Sequence, residues 1–300
     1  MLVRILGSAA GGGVPQWNCG CRQCDAARSG LLDSRTQCSI GISIDERRWV
    51  LVNASPDVRY QLTYLECRPS PQTRRSPIEA ILLSDADLDH TLGLLLLRES
   101  GLPLPIYALE TIKEAVEEGL RMTDVLSRYC GIQWSTPPLD FEPLLCRQGT
   151  ETGLEFKAVE IAGLGPRYRR SDHYSCRVFY VLRESATGKS VVLAPAVAQL
   201  DSQLLVELNR ADAILFDGTF WSNDDFEKSG VCTRSMAELL QSHLPISNGS
   251  LETLAATPAN HKIYIHINNT NPILWDSGPE RRLLQELGIR VATDGMTIEV

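Results

Sequence analysis

The sequence predicts a four-layer α/β (α+β) protein, with two β-sheets packed face to face and helices on their outer faces, an αββα arrangement. Two observations carry this. Short apolar runs bounded by turn residues recur along the chain, several of them apolar at every position, as expected of strands buried on both faces. Their order is the second: hairpin-like runs come first, and later runs alternate with segments of helical periodicity. With 300 residues, 43% of them hydrophobic and 22% charged, the chain suits one large layered core, and a single domain over 1–300 is expected.

In order, strands are expected at 3–9, 38–44, 48–54, 80–84, 105–109, 178–182, 190–195, 213–218, 262–267 and 296–300. Helical spacing of apolar residues marks 91–101, 109–121, 199–211, 235–242 and 277–287. The segment 131–170, rich in Pro and Gly, reads as an insertion or rim loop. No low-complexity stretch or short-period repeat divides the chain.

Composition excludes several classes of function. A net charge of −8 argues against a nucleic-acid partner, with only Arg167, Arg169 and Arg170 forming a local basic cluster. No apolar run approaches the roughly 20 residues of a membrane span, so no membrane partner is expected. The opening MLVRILGSAAGGGVPQW has too short an apolar part for a signal peptide and reads as a first strand ending in a glycine turn. Nine cysteines, an odd number without an export signal, argue for reduced thiols in the cytoplasm. Cys38, Cys67, Cys130, Cys146, Cys176 and Cys232 are scattered and read as small buried apolar residues.

Cys19, Cys21 and Cys24 are not scattered. Three thiolates within six residues, directly after a glycine turn, can face one ion and favour a closed tetrahedral Zn²⁺ site whose fourth ligand comes from elsewhere. Without a metal such neighbouring thiols are prone to oxidation.

The apolar run ending at Ser84 leads straight into DADLDH, placing Asp85, Asp87, Asp89 and His90 on a strand-to-helix turn, where α/β sheets position chemistry. This oxygen-rich set with one nitrogen suits iron or manganese. Helix capping would account for one of the carboxylates, but not for His90. Asp217 follows another apolar run, where it can be a ligand, an acceptor for a histidine N–H or a turn residue. His243 and His261 read as ordinary histidines at a helix end and a strand approach. The polar turn 268–272, with Asn269, and the segment GVCTR, with Arg234, are candidates for lining a pocket, the arginine holding a substrate carboxylate.

DADLDH fits the HxHxDH frame of the metallo-β-lactamase superfamily, with Asp85 and Asp87 where that frame has histidines. His173 in DHYSCRVFYVL and His266 in KIYIHINNTNP stand where the superfamily has its later histidines. Within the superfamily the chain resembles the pyrroloquinoline quinone biosynthesis protein B family, through LGSAAGGGVPQWNCGCRQC, NASPD (53–57), DHTLGLLLLRE (89–99), FDGTFW (216–221) and HINNTNPIL (266–274). The resemblance implies the metallo-β-lactamase fold.

The missing histidine pair, together with Pro195 near the place of a bridging Asp, disfavours two-metal hydrolysis. The resemblance implies instead a mononuclear site built from His90, His173, His266, Asp85, Asp89 and Asp217, with Asp89 and His90 at the catalytic centre. It implies Fe²⁺ as catalytic metal, alongside structural Zn²⁺ at Cys19, Cys21 and Cys24 completed by His266 or Asn269. The implied activity is iron- and O₂-dependent hydroxylation of the tyrosine part of a glutamate–tyrosine cross-linked precursor of pyrroloquinoline quinone (PQQ). Carriage of the cofactor or its precursor, and metal-dependent hydrolysis, are the alternatives. The expected partner is an amino-acid-derived small molecule, with a homodimer left open.

Overall fold

The computed structural model describes residues 1–65, 76–169, 177–231 and 239–300. The strands are β1 (Leu2–Gly7), β2 (Ser39–Ser43), β3 (Trp49–Val52), β4 (Ile78–Leu82), β5 (Leu104–Tyr107), β6 (Ile132–Ser135), β7 (Glu142–Leu145), β8 (Glu151–Ile161), β9 (Arg177–Glu184), β10 (Ser190–Ala194), β11 (Ala213–Asp217), β12 (His261–Ile265), β13 (Ile289–Val291) and β14 (Thr297–Glu299). They form two seven-stranded sheets, in the orders β14-β1-β2-β3-β4-β5-β6 and β13-β12-β11-β10-β9-β8-β7. Each sheet is antiparallel in one half and parallel in the other. The parallel halves run from β3 to β6 and from β10 to β13. The carboxyl ends of β4, β11 and β12 bring together the acidic loop, Asp217 and His266, the usual place for a site in parallel sheets.

Alternation along the central strands explains their continuous apolar runs. In β10, Val191 and Leu193 join the core between the sheets, while Val192 and Ala194 face the outer helices. Ala213 and Leu215 of β11, and Ile263 and Ile265 of β12, also join the first core, against Ile214, Phe216 and Tyr264 in the second. The helices Ser202–Arg210 and Pro279–Glu286 cover that outer face through Leu204, Leu208 and Leu284. Asp201 caps the first of them, its side chain accepting from Leu204 N at 2.8 Å. Val58, Leu94, Ile112, Val116 and Leu126 bring the helical segments of the N-terminal half onto the first core.

Several expectations need correction. The segment 131–170 is not an insertion: it supplies β6, β7 and the whole of β8. Thr152, Leu154, Phe156 and Ala158 alternate inward along β8. The Pro and Gly that suggested a loop fall where a strand tolerates them, Pro143 on the edge strand β7 and Gly153 at a positive φ of 85°. The single helix expected at 91–101 is two short turns, Leu88–Thr91 and Gly93–Leu96. The one at 109–121 begins as Glu110–Glu114 and widens over Ala115–Gly119. Strand β13 was not foreseen, being only three residues long. The first half of the helix expected at 235–242 lies outside the described residues. Among the described residues no helix is long and apolar enough to cross a membrane. Cys38 and Cys146 are buried as expected, and Cys130 is half-buried.

The break between the two short turns has a cause. Ala54, in the loop after β3, donates its N–H to the His90 carbonyl at 2.7 Å and accepts from Gly93 N at 2.9 Å. A Cβ on Gly93 would overlap the Ser55 and Ala54 carbonyl oxygens. Glycine lets the NASPD loop clamp the segment that carries His90. Gly93→Ala is expected to lower unfolding stability by about 1–3 kcal/mol, the usual cost of overpacking. Gly20→Ala, where a Cβ meets nothing within 4 Å, is the control expected to leave stability unchanged in chemical denaturation.

Candidate metal centres

The acidic loop splits into three carboxylates with different partners. Asp85 is buried and accepts from Ser84 Oγ at 2.9 Å, from Asp87 N at 2.9 Å and from His90 Nδ1 at 2.8 Å. Asp87 pairs with Arg177 Nη2 at 2.6 Å. Asp89 turns the other way, its Oδ2 lying 3.3 Å from His266 Nε2 and 3.7 Å from His90 Nε2. Asp85 was expected among the metal ligands. It sits instead behind His90, because its oxygens are taken up by neighbouring donors and by the ring it orients.

The support continues outward from Asp85. Asn53, at a positive φ of 60°, accepts at Oδ1 from Ser84 N and donates from Nδ2 to Ser84 Oγ, both at 2.9 Å. Asn53, Ser84, Asp85 and His90 thus form one hydrogen-bonded chain leading to the site. Burial opposes ionisation of Asp85, but the charges of His90 and Arg177 outweigh it and hold the carboxyl below its usual range. His90 shows the reciprocal balance: burial disfavours its charge, Asp85 and Asp89 favour it more, and its pKa is pushed up to about 9.

On the opposite sheet, Asp217 ends β11. Its Oδ1 accepts from Thr219 N at 3.0 Å and Thr219 Oγ1 at 2.6 Å, and its Oδ2 from Val197 N at 2.9 Å and His243 Nδ1 at 2.8 Å. Of the three readings of Asp217, the acceptor for a histidine is the one adopted. Asp217 also remains a candidate ligand, because ligand atoms of Asp217, His243 and His266 lie within 4.8 Å of one another, although both of its oxygens accept hydrogen bonds here. With the Thr219 hydroxyl given to Asp217, its oxygen is left to accept from His266 Nδ1 at 2.8 Å. His266 has a left-handed backbone, with φ of 55°, which turns the chain sharply after β12.

Three histidines therefore share one design. His90, His243 and His266 each direct Nδ1 to an oxygen, and with the proton held on that nitrogen a bound cation would meet the Nε2 lone pair. Their rings are adjacent: His266 lies edge-on to His90 at 5.0 Å and stacked on His243 at 5.2 Å. Ligand atoms of Asp89, His90 and His266 lie within 4.8 Å of one another. His90 Nε2 is buried with no hydrogen-bond partner among the described residues, which is costly for a polar atom unless a ligand meets it. Imidazole nitrogens with one carboxylate oxygen fit a divalent transition metal such as Fe²⁺. His243 is a correction: read as an ordinary helix-end histidine, it belongs to the pocket. No local pattern announces it, because its partner Asp217 is remote in sequence. His173 and Arg234 lie outside the described residues, as does Arg170.

Cys19, Cys21 and Cys24 form a second, buried cluster with sulfurs within 4.8 Å of one another. Cys21 caps the short helix Arg22–Arg28. Asn269 Nδ2 stands over the cluster, at 3.1, 3.6 and 3.3 Å from the sulfurs of Cys19, Cys21 and Cys24. His266 faces Asp89 instead, so of the two fourth-ligand candidates only Asn269 is in place. Rotating its amide brings Oδ1 to the same position. Burial pushes the Cys24 thiol up to about 12. A bound cation would reverse that balance and hold the thiolates. The donor set fits Zn²⁺.

Between the two clusters opens a cavity of about 610 Å³, lined among others by Gln16, Asp89, Tyr168, Arg177, His243 and His266. That is the size of a small-molecule site. Asp85→Asn weakens the hold on His90 Nδ1 and is expected to lower metal affinity at the histidine centre about 10- to 100-fold in a metal titration, with the cysteine cluster unaffected.

Comparison with known proteins agrees with this architecture. Residues 48–267 match the beta-lactamase superfamily domain. Coenzyme PQQ synthesis protein B of Methylococcus capsulatus is 40% identical, over 99% of this chain and 99% of its own length. Its counterpart in Cupriavidus taiwanensis is also 40% identical, over 99% and 98%. The crystal structure of Zn²⁺-bound PqqB from Methylobacterium extorquens aligns over 100% of both chains, with a TM-score of 0.88 at 35% identity. The fold is the metallo-β-lactamase fold, and the chain belongs to the coenzyme PQQ synthesis protein B family.

Proposed function

We propose that this member of the family serves PQQ synthesis as an Fe²⁺- and O₂-dependent hydroxylase acting on the tyrosine part of a glutamate–tyrosine cross-linked precursor. The observation that carries the reading is that ligand atoms of Asp89, His90 and His266 lie within 4.8 Å of one another, with His243 stacked on His266, beside a small-molecule cavity. A site of this type supplies, when Fe²⁺ is bound, activation of dioxygen at positions the protein leaves open. The chain's own residues do the rest. Asp85, Asp217 and Thr219 hold the imidazoles in the ligating tautomer. Asp89 sits in a tight cradle, within 3.2 Å of where a Cβ on Gly11 would lie, so the glycine turn fixes its approach. The cavity beside it holds the substrate in place.

A two-zinc hydrolase is disfavoured by the same geometry, since Asp85 and Asp87 are engaged with His90 and Arg177. We further propose that Cys19, Cys21, Cys24 and Asn269 hold Zn²⁺ as a structural ion, consistent with the zinc named for the Methylobacterium extorquens protein.

Anaerobically purified protein supplied with Fe²⁺, O₂ and a tyrosine-derived precursor is expected to form hydroxylated product. His90→Ala and His243→Ala should each reduce turnover to the level without protein. Precursor that binds tightly but is never oxidised would overturn the hydroxylase and favour a carrier. In the same preparations, Cys21→Ser should lose zinc and unfold at lower temperature than the wild type, because zinc bound only by the folded chain stabilises it.

A further inference from the structure

The acidic loop holds more negative charge than one site needs. Asp85, Asp87 and Asp89 lie within five residues, yet only Asp89 faces the histidine cluster. What separates the other two from solvent cations is Arg177, the first residue of β9. It is buried, with Nη2 at 2.6 Å from Asp87 and Nη1 at 3.4 Å from Asp85. Its placement is built: a Cβ on Gly163 would overlap the arginine Cδ, and Nε donates to the Leu164 carbonyl at 3.3 Å. Nη1 finds no hydrogen-bond partner among the described residues, although it is buried. An arginine kept for hydrogen bonding would not leave a buried nitrogen in that state. One kept for its charge would.

We propose that Arg177 is an internal counter-cation: it occupies the electrostatic position of a second divalent ion beside Asp85 and Asp87 and thereby restricts the centre to one metal. The inference rests on the metal-binding reading of His90, His243, His266 and Asp89. The charges support it. The loop's three carboxylates and the guanidinium leave two negative charges, which one divalent ion neutralises. A second ion would have to approach a buried, positively charged guanidinium, in surroundings where like charges interact strongly. Removing the guanidinium should free the Asp87 carboxylate and take the positive charge away from Asp85, so that their combined negative charge can draw in a second ion. Two-metal clamps use carboxylates in this way. Arg177 is then a positioning residue that sets metal number without touching substrate.

The test counts Mn²⁺, which prefers oxygen and nitrogen to thiolate, in protein whose cysteines are already loaded with zinc. Equilibrium dialysis and the electron paramagnetic resonance signal give ions per chain and show whether two ions are coupled. Wild type is expected to bind one Mn²⁺. Arg177→Met is expected to gain a second, magnetically coupled ion, held at least about tenfold more tightly than any second Mn²⁺ in the wild type. Adding Asp87→Asn to Arg177→Met should abolish the gain. Gly163→Ala, which retains the arginine and only displaces it, should gain the second ion too and decides the matter if Arg177→Met does not fold. Folded variants with no ion beyond the wild-type number, or a gain that survives Asp87→Asn, would overturn the proposal. The gain is scored against the wild type, and His90→Ala separately removes the first ion. Failure of the underlying site therefore shows as a wild type without Mn²⁺, distinct from failure of the arginine's role.

Discussion

The commitment of every pocket Nδ1 to an oxygen is the constraint on which the rest of this molecule depends. An imidazole is a metal ligand only through a nitrogen free of its proton, and the group behind the ring decides which nitrogen that is. Here Asp85 decides it for His90, Asp217 for His243 and the Thr219 hydroxyl for His266. Asp217 has a double role, because by accepting the Thr219 proton it also sets the donor direction at His266. Asp85 and Asp217 are thus engaged in orienting imidazoles through Nδ1, and Asp89 presents its carboxylate to the Nε2 atoms of His266 and His90.

The architecture serves this constraint by bringing two sheets together at the carboxyl ends of their parallel halves. His90 and Asp89 come from the first sheet, His243, Asp217 and His266 from the second, so neither half-site exists without the intersheet core. Cross-sheet hydrogen bonds reinforce the junction: Val178 N donates to the Ser84 carbonyl at 2.8 Å, and Tyr180 Oη to the Leu83 carbonyl at 2.9 Å. Both reach the strand end that leads into the acidic loop. The cysteine cluster joins the same structure from the far side. Asn269 stands on its sulfurs only three residues after His266, so fixing the cluster also fixes the turn that aims the histidine.

Much of this was legible from residues alone. The strands buried on both faces declare themselves by unbroken apolar runs, as do the close cysteines and the acidic loop by their spacing. What was not legible depends on contacts distant in sequence. His243 looks like any helix-end histidine until β11 brings Asp217 to it. Asp85 and Asp217 look like ligands because spacing gives the place of a carboxylate but not the donors around it. Arg177 opens an apolar strand and gives no sign in sequence that it reaches across to Asp85 and Asp87. Strand β8 was hidden by the glycine and glutamates between its inward residues, although its alternation is regular once the partner strands are known.

The central claim is a single metal held by His90, His243, His266 and Asp89. The most direct measurement is an anomalous difference map at the iron absorption edge, from crystals of protein loaded anaerobically with Fe²⁺. The account predicts one peak per chain outside the cysteine cluster, in contact with the Nε2 atoms of these histidines and with the Asp89 carboxylate. A peak bound by the carboxylates of Asp85 or Asp217, or a pair of peaks in the pocket, would contradict it.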